Sequence, residues 1–273
     1  MIDPILVHNF FVLFLVFYFG CIIGSFLNVV ILRLPEGKTL GGRSRCPHCG
    51  HELGAFELVP LLSYVWLGGK CRGCRGRISP RYLVIEAAAG CLFLLGWLHF
   101  LPAGDYIGLV KFWYLAAICV AVFAIDFEHY LILDSIVLPG IGIFALLNII
   151  QDAAARVPFW HVHSHFILGI FGALLGALPF FAIWLFSKGK WMGFGDIKFI
   201  ALLGMALGPA NAIVALFLAI FSGTLVSLPL LAFGKKTLAS RLPFGTFLAA
   251  GALAAVWFGQ PLAHWYLGLL GVL

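Results

Sequence analysis

The sequence predicts an all-α polytopic membrane protein with about eight transmembrane helices and one small extramembrane domain between the first two. Of its 273 residues, 63% are hydrophobic and only 10% are charged, and the mean hydropathy is +1.08. About a quarter of the residues in a soluble domain are charged, so this composition excludes an ordinary soluble protein. The net charge of +6 comes from basic residues that lie between apolar runs, where they orient a chain in a bilayer. The sequence therefore predicts contact with membrane lipid and no nucleic-acid partner.

Eight apolar segments account for the predicted helices, because about 20 helical residues cross the hydrocarbon core. The sixth segment is short, and it forms a separate span from the seventh only if Gly208-Pro209 makes the turn. The first segment lacks the cationic start and the cleavage site of a secretory signal peptide, so we expect it to be retained. The predicted segments are residues 10–32, 82–101, 107–125, 131–150, 166–186, 197–207, 210–233 and 244–270.

Residues 33–81 differ in composition from everything around them, with nine Lys or Arg, three Glu and four cysteines. The cysteines form two C-x2-C pairs: Cys46 with Cys49 and, after an interval of 21 residues, Cys71 with Cys74. Two cysteines at this spacing reach one metal ion, and two such pairs complete a tetrahedral shell of four thiolates. We expect a structural zinc ion, because no open coordination position remains for catalysis. His48 and His51 could also act as ligands, but four thiolates already suffice.

Disulfides and a pair of redox-active sites are the alternatives for these cysteines, and the compartment decides between them. If residues 33–81 are cytoplasmic, fifteen of the seventeen Lys and Arg lie on or near the cytoplasmic side, and only Lys111 and Arg156 lie outside. This bias predicts a reducing environment for the cysteines and places both termini outside. The other inner clusters are Lys188, Lys190 and Lys198, and Lys235, Lys236 and Arg241.

Two carboxylates lie where apolar segments begin or end. Asp126 opens the block that runs to Asp134, and Asp196 follows Gly193-Phe194-Gly195. An ionised aspartate at bilayer depth costs about 2.5 to 3.5 kcal/mol on insertion scales, so such a residue usually has a function. The predicted topology places Asp126 and Asp196 on the same face. Two carboxylates that share a partly desolvated site can act together, the ionised one activating water and the protonated one polarising a carbonyl.

Simpler interpretations compete for each acidic residue. Asp196 could be the N-cap of a helix that begins at Ile197. Glu128 is interpreted as an ordinary interfacial charge, and Asp134 as a helix cap or a third, supporting carboxylate. The histidines of the predicted external loop are interpreted as exposed residues and not as a metal site: His161, His163 and His165.

With these motifs in order, the sequence resembles the bacterial type IV prepilin leader peptidases over nearly its whole length. The resemblance implies that Asp126 and Asp196 are the catalytic pair of an intramembrane aspartic endopeptidase. It implies cleavage of type IV prepilins and pseudopilins, the subunits of type IV pili and type II secretion, at the cytoplasmic face of the bacterial inner membrane. It also implies N-methylation of the new terminal residue with S-adenosyl-L-methionine as donor. The segments that carry it are residues 24–35, the cysteine loop, residues 81–86, the Asp126 to Asp134 block and Gly193-Phe194-Gly195-Asp196.

The same resemblance divides the chain into a first transmembrane helix at residues 1–32, a cytoplasmic zinc-binding loop domain at 33–81 and a transmembrane aspartic peptidase domain at 82–273.

Three departures from the family pattern stand out. Leu133 precedes Asp134 where a proline is usual, Glu57-Leu58-Val59-Pro60 replaces Asp-Asn-Ile-Pro, and Tyr82-Leu83 replaces a Tyr-Pro pair. The last two lie in or beside the loop on which methyl transfer is expected to depend.

Two other functions use the same residues. In a proton-coupled transporter, Asp126 and Asp196 would relay protons, and the cysteine loop would have no role. In a membrane thiol-redox protein, the C-x-x-C pairs would have to be free of metal. Cleavage of a prepilin peptide distinguishes the peptidase from both. The sequence carries no signal for the oligomeric state.

Overall fold

The computed structural model describes residues 4–233 and 242–269. Seven of its eight α-helices are long and apolar enough to cross a membrane, the exception being the short α2. Within these ranges there is no β-strand, only two isolated bridges in the cysteine loop. The prediction of an all-α polytopic protein is confirmed. The helices are α1 (Pro4–Arg33), α2 (Leu62–Trp66), α3 (Arg81–Phe100), α4 (Tyr106–His129), α5 (Asp134–Ala154), α6 (His165–Ser187), α7 (Phe194–Ala232) and α8 (Phe244–Leu269). The predicted cluster of Lys235, Lys236 and Arg241 lies outside the described residues.

Helix α7 bends sharply at Gly208, which has φ 73° and ψ 176°, a conformation that glycine adopts and other residues avoid. Pro209 follows and lacks the amide hydrogen that a continuous helix would use there. The bend divides α7 into a first arm, residues 194–207, and a second arm, residues 209–232. The prediction that Gly208-Pro209 makes this turn is confirmed, and the seven long helices therefore supply eight segments.

Each arm of α7 approaches a neighbouring helix closely. A Cβ added to Gly172 of α6 would lie 2.7 Å from the carbonyl oxygen of Gly204, so α6 and the first arm approach at backbone distance. Small residues allow such approach between membrane helices. The second arm runs antiparallel to α8, as two pairs of neighbours demonstrate: Asn211 with Gly259, and Gly223 with Phe247. Both ends of α7 therefore lie on the same side of the helix bundle as the start of α8.

The chain divides into two compact units, Met1–Ala121 and Val122–Leu273. The first unit holds α1 to α3, most of α4 and the cysteine loop. Within it, α1 lies closely along α3, since a Cβ on Gly24 would be 2.7 Å from the Cα of Glu86. The second unit holds the end of α4 and helices α5 to α8, and it contains both Asp126 and Asp196.

Candidate functional site

The four cysteines of the loop come together in the first unit. Their sulfur atoms all lie within 4.8 Å of one another, and the group could hold a metal ion. The Sγ–Sγ distance is 3.9 Å between Cys46 and Cys74 and 4.0 Å between Cys49 and Cys71. Four zinc–sulfur bonds of about 2.3 Å in a tetrahedron would place the sulfurs about 3.8 Å apart, whereas a disulfide needs about 2.05 Å. The spacing fits a four-thiolate metal site.

The two cysteine pairs are built by the same turn. In each, the amide of the first cysteine donates to the carbonyl five residues later at 2.9 Å, so Cys46 contacts His51 and Cys71 contacts Gly76. The carbonyl of the first cysteine accepts from the amide four residues later. That residue is Gly50 in the first turn and Arg75 in the second, with φ of 71° and 57°. The turns point the sulfurs of both pairs toward one centre.

The histidines beside the cysteines are engaged elsewhere. His48 Nε2 lies 3.3 Å from the carbonyl oxygen of Arg77, and His51 Nε2 lies 3.4 Å from Glu57 Oε2. The structure does not bring either ring into the sulfur cluster. Backbone amides of His48 and Cys49 lower the pKa of the Cys46 thiol, which favours its thiolate form, whereas the contact with the Cys74 sulfur raises the pKa of the Cys49 thiol.

Asp126 lies in the last turn of α4 and is only 4% exposed. Its Oδ2 accepts a hydrogen bond from the backbone amide of Thr246 at 2.9 Å, and the Thr246 hydroxyl lies 3.4 Å from the same oxygen. A Cβ on Gly245 would lie 3.0 Å from that oxygen and 2.8 Å from Ile132 Cδ1. The start of α8 therefore closes around the Asp126 carboxylate.

Sequence reasoning did not single out Gly245 or Thr246. The available signal was a glycine followed by a hydroxyl residue at the start of an apolar helix. This pattern is common at helix starts, so it did not identify a partner for Asp126.

Asp196 lies in the first turn of α7, three residues after the N-cap residue Gly193. The interpretation of Asp196 as the N-cap is wrong, because the helix begins at Phe194 and not at Ile197. The amide of Gly193 nevertheless hydrogen-bonds the Asp196 carboxylate, which satisfies one free donor at the helix start. A Cβ on Gly195 would lie 3.0 Å from Ile132 Cβ. Gly195 thus allows α7 to begin against the chain that follows α4.

Asp126 and Asp196 are brought together in the second unit. The Asp126 carboxylate acts electrostatically on that of Asp196. Ile132 lies beside the glycines next to both aspartates, because it is the first residue that a Cβ added to Gly195 or to Gly245 would meet. Asp126 is buried and Asp196 is half-buried, so the pair is less covered by protein on the Asp196 side.

Asp134 has a different partner. Both of its carboxylate oxygens accept from Lys198 Nζ, at 2.6 and 2.7 Å. Lys198 follows Asp196 by two residues, and its Nζ lies 4.9 Å from the ring centroid of Phe194. Asp134 therefore links the start of α5 to the N-terminal part of α7. Glu128 is exposed, as an interfacial charge would be, with the ring of His129 3.9 Å away.

Comparisons with known proteins agree with one another. The model of the bacterial peptidase A24 N-terminal domain matches residues 18–100, and that of the type IV leader peptidase family matches residues 113–228. The chain is 35% identical to a prepilin leader peptidase/N-methyltransferase of Burkholderia pseudomallei strain 1026b, over 89% of this chain and 84% of the relative. It is 34% identical to the protein of that name in Aeromonas hydrophila, over 93% of each. No solved structure matches the chain.

Proposed function

This chain belongs to the type IV leader peptidase family, and from that premise we propose that it cleaves the leader peptide of type IV prepilins and pseudopilins at the cytoplasmic face of the bacterial inner membrane. The observation that carries the proposal is the meeting of Asp126 and Asp196, which come from helix ends 70 residues apart in sequence. Both carboxylates lie at the ends of membrane-spanning segments. A peptide bond at the membrane face can reach them there.

In the proposed reaction, one carboxyl group of the pair is ionised and the other is protonated. The ionised group takes a proton from water as the water oxygen bonds to the scissile carbonyl carbon, and the protonated group gives its proton to the carbonyl oxygen. The tetrahedral diol then loses the amine. The amine receives the proton taken from water, a diol hydroxyl returns a proton to the second carboxylate, and the pair regains its starting state.

The experiment that tests this function is cleavage of a prepilin peptide by the purified protein. Asparagine keeps the size and polarity of aspartate but cannot cycle a proton. We expect Asp126→Asn and Asp196→Asn each to abolish cleavage, and the double variant to be no worse than either single one, because the two residues act as a unit. The wild-type rate should depend on pH along a bell whose two apparent pKa values belong to the pair.

Glu128→Gln is the matched control, since Glu128 is an exposed carboxylate that follows Asp126 by two residues in the same helix. It should cleave at the wild-type rate. Full cleavage by well-folded Asp196→Asn would overturn the assignment of the pair. Absence of cleavage in every variant and in the wild type would favour the proton-coupled transporter instead.

We also propose that Cys46, Cys49, Cys71 and Cys74 hold one structural zinc ion on the cytoplasmic side. All four coordination positions would be filled by thiolates, so the ion would link the two turns and leave no position for substrate. The sulfur spacing supports this assignment.

A second activity, N-methylation of the cleaved pilin, is proposed from the relatives' shared name of prepilin leader peptidase/N-methyltransferase. S-adenosyl-L-methionine would supply the methyl group, which it carries on a sulfonium. The neutral terminal amine would form the new C–N bond, and the electron pair of the S–CH3 bond would return to sulfur and leave a thioether. The nitrogen would then lose a proton. The test is transfer of labelled methyl to cleaved pilin. Normal cleavage without methyl transfer would limit the protein to a peptidase.

A further inference from the structure

The first unit encloses a cavity of about 510 Å³ beside the cysteine cluster. Its walls come from the end of α1, the first cysteine turn, the short 3-10 turn Ala55–Glu57, α2 and the start of α3. Small-molecule sites in proteins typically have volumes of roughly 300 to 1,000 Å³. The cavity is therefore large enough for a ligand of nucleoside size, and neither Asp126 nor Asp196 lines it.

Two buried acceptor atoms of this cavity have no hydrogen-bond partner among the described residues. Asn28 is 3% exposed; its Nδ2 donates to the carbonyl of Tyr82 at 3.2 Å, and its Oδ1 has no partner. Glu57 Oε2 accepts from the amide of Gly54 at 2.9 Å, while Oε1 is buried without a partner. A buried acceptor left unpaired is unfavourable. A ligand that brings hydrogen-bond donors would satisfy both atoms.

The lining carries both charges, with the carboxylates of Glu57 and Glu86 beside four arginines, and the two carboxylates offer sites for the cationic groups of a ligand. Glu86 is 8% exposed, and its Oε2 accepts from the amide of Leu61 at 2.8 Å, so a second carboxylate faces the same cavity. The Gly54 amide holds the pKa of Glu57 below its ordinary value, so Glu57 is ionised at neutral pH. Carboxylates in a partly enclosed site attract a cation more strongly than they would in water.

The remaining walls suit the other parts of a nucleoside-like cation. Tyr64 and Tyr82 add aromatic rings on which a flat base can stack, and aliphatic side chains lie beside them. Arg77 also lines the cavity, and a guanidinium can bind a carboxylate with paired hydrogen bonds, whereas the Arg33 guanidinium donates to backbone carbonyls of residues 40, 41 and 43. The lining thus combines acceptors for a cation, rings for a base and donors for a carboxylate.

We propose that this cavity binds S-adenosyl-L-methionine, with Glu57 and Glu86 facing its cationic groups and Asn28 Oδ1 accepting from one of its amino groups. The ligand matches the lining because it carries a sulfonium, an α-ammonium, a carboxylate and an adenine ring. The inference rests on the proposed methyltransferase function and gives that function a binding site. The site belongs to the unit that holds the cysteine cluster.

The test is equilibrium binding of methyl-labelled S-adenosyl-L-methionine to the full-length, zinc-loaded protein in detergent, with S-adenosylhomocysteine as the unreactive competitor. Glu57→Gln keeps the oxygen that accepts from Gly54 and removes the charge. We expect it to weaken binding at least about tenfold, as the loss of a charge-assisted hydrogen bond does. Glu36→Gln is the matched control, because Glu36 is an exposed carboxylate that follows α1 and does not line the cavity. Its affinity should equal that of the wild type.

A second measurement needs no variant. Ultraviolet irradiation of the wild-type protein with the labelled donor, followed by peptide mapping, should label residues 25–33, 44–64 or 77–86. Label confined to residues 122–233 or 242–269 would overturn the inference. So would unchanged affinity in Glu57→Gln protein that retains its zinc and its cleavage activity.

The outcomes distinguish failure of the cavity assignment from failure of the proposed methyltransferase function. If the wild-type protein methylates pilin and Glu57→Gln binds the donor and methylates equally well, the cavity assignment fails and the methyltransferase function stands. If the wild type cleaves pilin but neither binds the donor nor methylates, the methyltransferase function fails, and the cavity assignment fails with it.

Discussion

The backbone amide of Thr246 donates to Asp126 Oδ2 at 2.9 Å, although 120 residues separate the two. This hydrogen bond attaches the first turn of α8 to the last turn of α4. It fixes the orientation of one carboxylate of the proposed pair. We therefore expect Thr246 to be a positioning residue, which would act on the proposed cleavage through Asp126.

Removing the hydroxyl of Thr246 should slow cleavage without abolishing it. Thr246→Val keeps the shape and the amide donor but loses the hydroxyl that lies 3.4 Å from Asp126 Oδ2. Because that contact is long, we expect kcat to fall about three- to tenfold, which corresponds to the loss of an ordinary hydrogen bond and not of a strong charge-assisted one. KM should change little, whereas the pH profile of cleavage should shift. Thr246→Ser should restore both kcat and the pH profile. An unchanged pH profile in Thr246→Val would mean that the hydroxyl does not act on the pair.

A methyl group at Gly245 should disturb the same carboxylate. The added Cβ would lie 3.0 Å from Asp126 Oδ2 and 2.8 Å from Ile132 Cδ1. Both distances are shorter than a normal contact, so we expect Gly245→Ala to lower cleavage at least about tenfold, as misplacement of a catalytic group does. Gly142→Ala is the control, because nothing lies within 4 Å of its added Cβ. Wild-type cleavage by a stably folded Gly245→Ala would contradict the close approach.

The ion pair of Asp134 and Lys198 should support activity only modestly. The Asp134 side chain is 56% exposed, and exposed ion pairs contribute about 0.2 to 1 kcal/mol. We expect Asp134→Asn and Lys198→Met each to reduce kcat/KM by no more than about fivefold. The double variant should match the single ones, since the two residues act through one contact. Complete loss of cleavage in Asp134→Asn would instead make Asp134 a third catalytic carboxylate.

Zinc should be found at one ion per chain and should be lost on acidification. Thiols must lose their protons to bind metal, so affinity falls as pH falls, and chelators should release the ion more readily below neutral pH. Cys71→Ser should lower zinc content and loosen the loop to proteolysis. Elemental analysis tests the stoichiometry. Native disulfides among the four cysteines, found by mass mapping, would contradict the zinc assignment.

The sequence predicts the long helices well, because hydropathy over about 20 residues is a strong signal and polar residues mark the ends. The turn at Gly208 could also be predicted, since glycine and proline together end a helix. Each half of the sulfur cluster follows from a local C-x2-C spacing, and the two halves lie within one short loop. In each of these cases the signal lies within a short stretch of the sequence.

Contacts between distant residues could not be predicted in the same way. The Lys198 side chain pairs with Asp134 across 64 residues, and Thr246 with Asp126 across 120. Neither residue type is unusual where it occurs. The orphaned oxygen of Asn28 likewise depends on how α1 and α3 pack, which no periodicity reports. The three-residue error at the start of α7 arose because Asp196 resembles an N-cap, although Gly193 occupies that position.

The bend at Gly208 has a consequence for the lipid around the protein. An arm of about 14 residues rises only about 21 Å, which is short of the roughly 30 Å hydrocarbon core. With the start of the arm at the membrane face, the bend would lie inside the apolar layer, where the hydrogen bond that Asn148 Nδ2 donates to the carbonyl of Met205 at 2.9 Å would take the place of one to water. A segment shorter than the bilayer makes the surrounding lipid thin or the helix tilt. Local thinning beside the arm that contains Asp196 would bring the aqueous phase toward the two aspartates, and with it the water that the proposed hydrolysis consumes.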